Sequence, residues 1–182
     1  MTDKKKFIIG SRGSKLSLAY SSHVKNLLLK SNPQFDDNSI EIKIIKTSGD
    51  IFQNKRISDI GGKGVFCKQI EEELLESKIN LSVHSLKDLP TKMTDGLCVN
   101  AVVKRNDPRD ALLSYSNKSF NELKPQSKIG TSSFRRHAQL KLLRNDIEVI
   151  NMRGNIDTRI KKLKNQEFEA IVLSLAGIKC SV

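Results

Sequence analysis

Short apolar runs that end in small polar or cationic clusters recur along this chain. Phe7-Ile8-Ile9 runs into Gly10-Ser11-Arg12-Gly13-Ser14, and Leu81-Ser82-Val83-His84 into Ser85-Leu86-Lys87-Asp88. Ile129 runs into Gly130-Thr131-Ser132-Ser133-Phe134-Arg135-Arg136, and Val149-Ile150 into Asn151-Met152-Arg153-Gly154-Asn155. In three of the four a helical pattern follows at once. Strand and helix in alternation predict an α/β sheet, whose ligands sit at the carboxyl ends of the strands.

The remaining pattern fills in the elements. Residues 5–10 read as a strand. Leu16, Tyr20, Val24, Leu27 and Leu28 recur at helical spacing from Ser14 to Lys30, and Asn32-Pro33 stops that helix. Ile40, Ile42 and Ile44 alternate with charged residues as in a half-exposed strand. A polar loop spans 47–63. Phe66, Ile70 and Leu74 mark a second helix. Leu81 to His84 is a short strand, and Leu97 to Val103 another.

At Lys104-Arg105-Asn106-Asp107-Pro108-Arg109-Asp110 the chain becomes dense in charge. A boundary there gives two domains, 1–103 and 104–182. The second opens on a strand at Ala111-Leu112-Leu113 and continues through two strand–helix units, the last with the stripe Ile156, Ile160, Leu163. Ala170 to Leu173 is a final strand. A turn at Ser174-Leu175-Ala176-Gly177 follows it, with its covering helix expected to be absent or very short.

Composition narrows the function classes. The 182 residues are 37% hydrophobic and 29% charged, with a formal net charge of +12. Such a balance favours acidic partners. Trp is absent and Tyr occurs twice, so stacking platforms for single-stranded nucleic acid are scarce. The dispersal of the arginines over separate strand tips also argues against a nucleic-acid surface. The N-terminus lacks the apolar segment of a signal peptide, and the longest apolar stretch, 171–178, is too short to span a bilayer. Cys67, Cys98 and Cys180 are widely spaced and form no CxxC pair. The expectation is a reduced, cytoplasmic monomer without disulfides or a metal site.

Lys outnumbers Arg by more than two to one, yet Arg12, Arg135, Arg136, Arg153 and Arg159 fall at strand tips or in the helical turns after them. Arg grips carboxylates with a planar fork that Lys lacks. Gly130-Thr131-Ser132-Ser133 opens a helix whose free N–H groups suit an anion, while Arg135 and Arg136 in its first turn oppose the helix dipole. An ordinary Ser cap with solvated arginines is the plainer alternative. Asp88 is the lone acid among these tips, available to balance positive charge or move a proton. A solvated Lys87–Asp88 pair is its plainer alternative. Gly61-Gly62-Lys63-Gly64 reads as a hinge rather than a phosphate loop, because Gly64 stands where Ser or Thr belongs. His84 and Cys67 read as packed residues, and His23 and His137 have no metal-spaced partner.

These segments resemble the porphobilinogen deaminase (hydroxymethylbilane synthase) family. The resemblance is carried by Ser11-Arg12-Gly13-Ser14-Lys15-Leu16, Gly61-Gly62-Lys63-Gly64-Val65-Phe66 and Val83-His84-Ser85-Leu86-Lys87-Asp88-Leu89-Pro90. It continues in Asp107-Pro108-Arg109-Asp110-Ala111, Gly130 to Arg136, Arg153-Gly154-Asn155-Ile156-Asp157-Thr158-Arg159 and Leu175-Ala176-Gly177. It implies a fold like type II periplasmic binding proteins, with two α/β domains around a cleft, the second incomplete here and a third domain absent. It implies head-to-tail condensation of four porphobilinogen molecules with release of ammonia, in porphyrin and haem biosynthesis, primed by a covalent dipyrromethane cofactor. By match of motif, Asp88 is the catalytic acid. Arg12, Lys87, Arg135, Arg136, Arg153 and Arg159 hold acetate and propionate groups, and Ser14, Ser85, Thr131 and Ser133 add hydrogen bonds. Lys63 and Phe66 belong to a mobile loop and its adjoining helix. The family chain continues past Val182, and the cofactor-bearing cysteine is expected in that further part. Cys67, Cys98 and Cys180 match no such position, and Cys180 stands where many members carry an arginine. The expectation is therefore a fragment, inactive by itself. The competing class is a non-catalytic clamshell that binds a multiply carboxylated small molecule; Asp88 separates the two, since a pure anion binder gains nothing from a carboxylate.

Overall fold

The computed structural model describes residues 6–51 and 64–181. The chain divides into two compact units, Met1–Val103 and Lys104–Val182.

In the first unit, β1 (Phe7–Ser11) lies between β2 (Ile40–Ile44) and β3 (Leu81–Ser82), all parallel. Helix α1 (Lys15–Ser31) starts where the sequence pattern puts it. Ser14 caps it, its Oγ accepting the Ser17 N–H at 3.3 Å and so satisfying one orphan donor of the first turn. A one-turn helix, α2 (Ser48–Ile51), occupies the start of the segment expected to be a polar loop. The rest of that loop, including Gly61, Gly62 and Lys63, lies outside the described residues. Helix α3 (Lys68–Leu75) begins two residues after Phe66, which stands in the preceding turn. Ile45, Ile70 and Ile79 form the core here, with Ile8 and Leu74 packed on them.

Two strand expectations need correction in this unit. Residues 97–103 form no strand: they make no ladder with any described segment, and Val102 is 81% exposed. An apolar run becomes a strand only when a neighbour takes its hydrogen bonds. The third strand ends at Ser82, before His84: its ladder with β1 stops at the Gly10–Ser82 pair, although the Val83 N–H still reaches Gly10 O at 3.4 Å. In β2 the alternation holds at Ile40, 2% exposed, and fails at Ile44, 57% exposed.

The second unit is a four-stranded sheet in the order β4-β7-β5-β6. Strands β5 (Lys128–Gly130), β6 (Glu148–Ile150) and β7 (Ala170–Ser174) are parallel, and β4 (Asp110–Ser114) runs antiparallel to β7. Helices α4 (Phe134–Leu143) and α5 (Ile156–Lys164) follow β5 and β6. The helix that follows β7 is present and short, α6 (Leu175–Ser181), seven residues that take up the expected turn at 174–177.

Alternation along β7 feeds both faces of this sheet. Ala170 and Val172 join a core with Leu123, Ile129, Leu140 and Ile147. Ile171 and Leu173 join the other, with Met152, Leu163 and Phe168. A central strand covered on both sides reads as a continuous apolar run for this reason. Each large aliphatic side chain so buried stabilises by about 1.5–3 kcal/mol. Gly130 at the tip of β5 sits where a Cβ would meet Met152 Sδ at 2.9 Å.

Candidate active site

Each unit presents its polar residues at the carboxyl ends of its parallel strands. In the first unit β1 delivers buried Ser11 and half-buried Arg12. The guanidinium carbon of Arg12 lies 4.0 Å from the centre of the Phe66 ring, a cation–π contact that fixes the side chain's direction. Ser14, expected to add a ligand hydrogen bond, serves as the α1 cap and also donates to Ser17 Oγ at 2.8 Å.

Past β3 the backbone turns through a short 3-10 helix, Leu86–Asp88, closed by the Asp88 N–H donating to Ser85 O at 2.9 Å. Lys87 is exposed on that turn, while Ser85 and Asp88 are half-buried. Cys67, with no exposed surface, donates its thiol to the Asp88 carbonyl at 3.2 Å, and its Sγ lies 3.8 Å from His84 Nδ1. Burial, then Glu71 and Asp88, push the Cys67 thiol up to about 11, against a smaller opposing effect of Arg12. Burial lowers the His84 pKa, with Asp88 and Glu71 raising it and Arg12 lowering it. Arg12, Phe66, Cys67, His84 and Asp88 thus share one electrostatic neighbourhood. Lys63 lies outside the described residues.

The second unit gathers every other expected residue. Thr131 is buried; its Oγ1 accepts the Ser133 N–H at 3.2 Å and its own N–H donates to Ile150 O at 2.9 Å. Ser132 donates to the carbonyl of Met152. Ser133 caps α4 by accepting the Arg136 N–H at 3.4 Å. Arg153 follows β6, and Arg159, one turn into α5, donates Nε–H to Gly154 O at 2.8 Å. Burial and then the charges of Arg136 and Arg153 lower the Arg159 pKa, so these three cations crowd one place. Two donors among them, Arg136 Nε and Arg153 Nη1, are buried without a hydrogen-bond partner. A buried polar group is ordinarily paired, and two cationic donors left open near a third cation suit an anion.

Asp88 is not the lone acid at a strand tip. Asp110 accepts from Arg135 Nη2 at 2.8 Å and from Arg136 Nη2 at 2.7 Å. Burial raises the Asp110 pKa, but the hydrogen bonds from Arg136 and Arg135 outweigh it and hold the carboxyl below its ordinary value. The first-turn arginines of α4, which oppose the helix dipole, are answered by this carboxylate. Sequence reading missed it because Asp110 starts its strand rather than ending one. Only the antiparallel run of β4, with Asp110 opposite Ser174, carries it to the carboxyl end of β7. The acid just ahead of the apolar run 111–113 was the available signal.

Among the described residues no group of three His, Cys, Asp or Glu could hold a metal ion, and no helix is long and apolar enough to cross a membrane.

Residues 7–181 match the family model described as "Porphobilinogen deaminase, dipyromethane cofactor binding domain". Similar curated proteins include the porphobilinogen deaminase of Syntrophomonas wolfei, 50% identical over 171 residues, covering 94% of this chain and 55% of the relative. That of Sulfurimonas denitrificans is 47% identical over 174 residues, covering 96% and 55%, and that of Campylobacter jejuni subsp. doylei is 47% identical over 174 residues with the same coverage. The chain therefore spans about half the length of the curated relatives it matches. With strand-tip arginines, an acid-bearing turn and a family match across nearly all of its length, this chain belongs to the porphobilinogen deaminase family.

Proposed function

We propose that this chain supplies the acid and the carboxylate cradle of a hydroxymethylbilane synthase. The reaction joins four porphobilinogen molecules head to tail with loss of ammonia. The observation that carries this reading is the convergence of Arg136, Arg153 and Arg159, with Arg136 Nε and Arg153 Nη1 buried and unpaired. Each pyrrole brings an acetate and a propionate, so a site for it needs many cations and few acids. The same donors fit a dipyrromethane cofactor, which when bound supplies a nucleophilic pyrrole carbon as primer.

In this reading Arg153, Arg159 and Arg136 grip carboxylates, with Arg12 and Lys87 doing so in the first unit. Arg135, Thr131 and Ser133 add polar groups in the second unit, and Ser14 and Ser85 in the first; Lys63, which lies outside the described residues, is proposed as a further ligand cation. Asp88 faces positive charge on the substrate pyrrole nitrogen. As the carbon–nitrogen bond of the protonated aminomethyl group breaks, ammonia leaves with the electron pair. A carbon–carbon bond then forms to the waiting pyrrole, whose ring proton is released. A fixed carboxylate lowers the cost of the cationic stage and can carry that proton. In this reading the domains are 1–103 and 104–182, each with a fold like a domain of type II periplasmic binding proteins, in a cytoplasmic monomer.

The test uses this chain completed with the C-terminal remainder of the Syntrophomonas wolfei relative. Asp88→Asn keeps the side chain's size but not its charge, and single-turnover rate should fall ~10²–10⁴-fold with porphobilinogen binding kept. Arg153→Lys keeps charge but loses the fork, so binding should weaken about tenfold. Near-normal turnover in Asp88→Asn would make Asp88 a loop residue and remove the mechanism.

A further inference from the structure

We infer that Asp110 is a positioning residue that holds the Arg135 and Arg136 guanidinium groups in place and so keeps Arg136 Nε open for a ligand carboxylate. This rests on the reading that the arginines of the second unit grip carboxylates. It goes further in giving a non-ligand residue control of that grip.

The geometry separates positioning from competition. Each Asp110 oxygen takes one arginine: Oδ1 the Nη2 of Arg136, Oδ2 the Nη2 of Arg135. A carboxylate plugging a single fork would accept two donors of one guanidinium. On Arg136 the other terminal nitrogen, Nη1, donates to Val172 O at 3.3 Å. With both terminal nitrogens held, the guanidinium plane cannot rotate, and the buried Nε remains without a partner. Arg135 is held in the same way, Nη2 on Asp110 and Nη1 on Gln139 Oε1 at 3.1 Å. Asp110 thus occupies outer donors and leaves the inner one.

Charge gives a second reason. Arg136 lies close enough to Arg159, which also feels Arg153, for the two charges to oppose one another. Asp110 offsets part of that repulsion without filling the place where a ligand carboxylate would sit. The side chain of Arg136 is 16% exposed and that of Asp110 25%, so the pair is shielded enough for its orientation to persist.

The experiment measures guanidinium 15N–1H signals of this chain and its affinity for porphobilinogen. In the unsubstituted chain the Nη protons of Arg136 should give separate, slowly averaging signals. Freely averaging Nη signals overturn the proposal without any variant being needed. Asp110→Asn should collapse those signals and weaken porphobilinogen binding about tenfold. Unchanged or tighter binding overturns it, tighter binding because it would mark Asp110 as a competitor. Arg136→Lys should weaken binding similarly, and adding Asp110→Asn to it should cost nothing more; a fully additive loss overturns the proposal. If the unsubstituted chain binds no porphobilinogen while its Nη signals are held and Asp110→Asn releases them, the carboxylate-cradle reading fails and the positioning by Asp110 stands.

Discussion

Cys67 and Asp110 are the two residues whose chemistry is decided by what lies across from them. Cys67 has no exposed surface, and its thiol donates to the carbonyl of the turn that carries Asp88. With its pKa pushed up to about 11 by burial, Glu71 and Asp88, only about one thiol in a thousand is ionised at pH 8, and the thiolate is the reactive form. Cys98 is exposed. Iodoacetamide at pH 8 should therefore label Cys98 within minutes and leave Cys67 unmodified until the chain is unfolded, as read by intact and peptide mass. Rapid native labelling of Cys67 would mean that the Asp88 turn does not seal over it. The packed reading of Cys67 was available from its neighbours Phe66 and Ile70 on a helical pattern. Asp110 was not, because its role depends on a strand direction that no local pattern states.

At the scale of elements, the link between β6 and α5 shows how backbone conformation places an arginine. Gly154 has φ +119, in the region that favours glycine, and a Cβ there would lie 2.7 Å from Thr158 Cγ2. Asn155 then caps α5, its Oδ1 accepting the Thr158 N–H at 2.9 Å, and the Gly154 carbonyl receives Arg159 Nε. Gly154→Ala should destabilise by ~1–3 kcal/mol through strain, and should loosen Arg159 as the carbonyl shifts. Thermal unfolding checks the first effect; a melting midpoint equal to that of the unsubstituted chain would show that the turn relaxes. The helices α1 and α5 were legible from apolar spacing, and the start of α4 from the Gly130-Thr131-Ser132-Ser133 segment with its Ser cap. The strand expected at 97–103 was legible only as an apolar run, and its exposed Val99, Val102 and Val103 show that nothing described pairs with it.

For the whole molecule, the two units differ in how far their sheets are covered. Strand β7 pairs with β4 along its whole length and with β5 at Ala170 and Ile171, and all of 170–173 is buried, whereas β3 contributes two residues to the edge of a three-stranded sheet. Hydrogen exchange should thus be slowest at the amides of β7 and β5, and markedly faster at Leu81 and Ser82. Equal protection of β3 and β7 would require pairing of β3 beyond that with β1. In the proposed function the net charge of +12 acts at this scale too, drawing carboxylated ligands from a distance before the local forks select them.

The sequence by itself determined the alternation of strand and helix, the placing of arginines at strand ends and the family, because each depends on local spacing and on motifs contiguous in the chain. Tertiary structure alone decided which of those residues share a neighbourhood. It brings Arg136, Arg153 and Arg159 from two strand–helix units together, sets Cys67 beneath the Asp88 turn, and runs β4 backwards so that Asp110 meets two arginines. The reason is physical: periodicity along a chain reports which face of an element is apolar, but strand order and direction follow from how those faces are buried against one another.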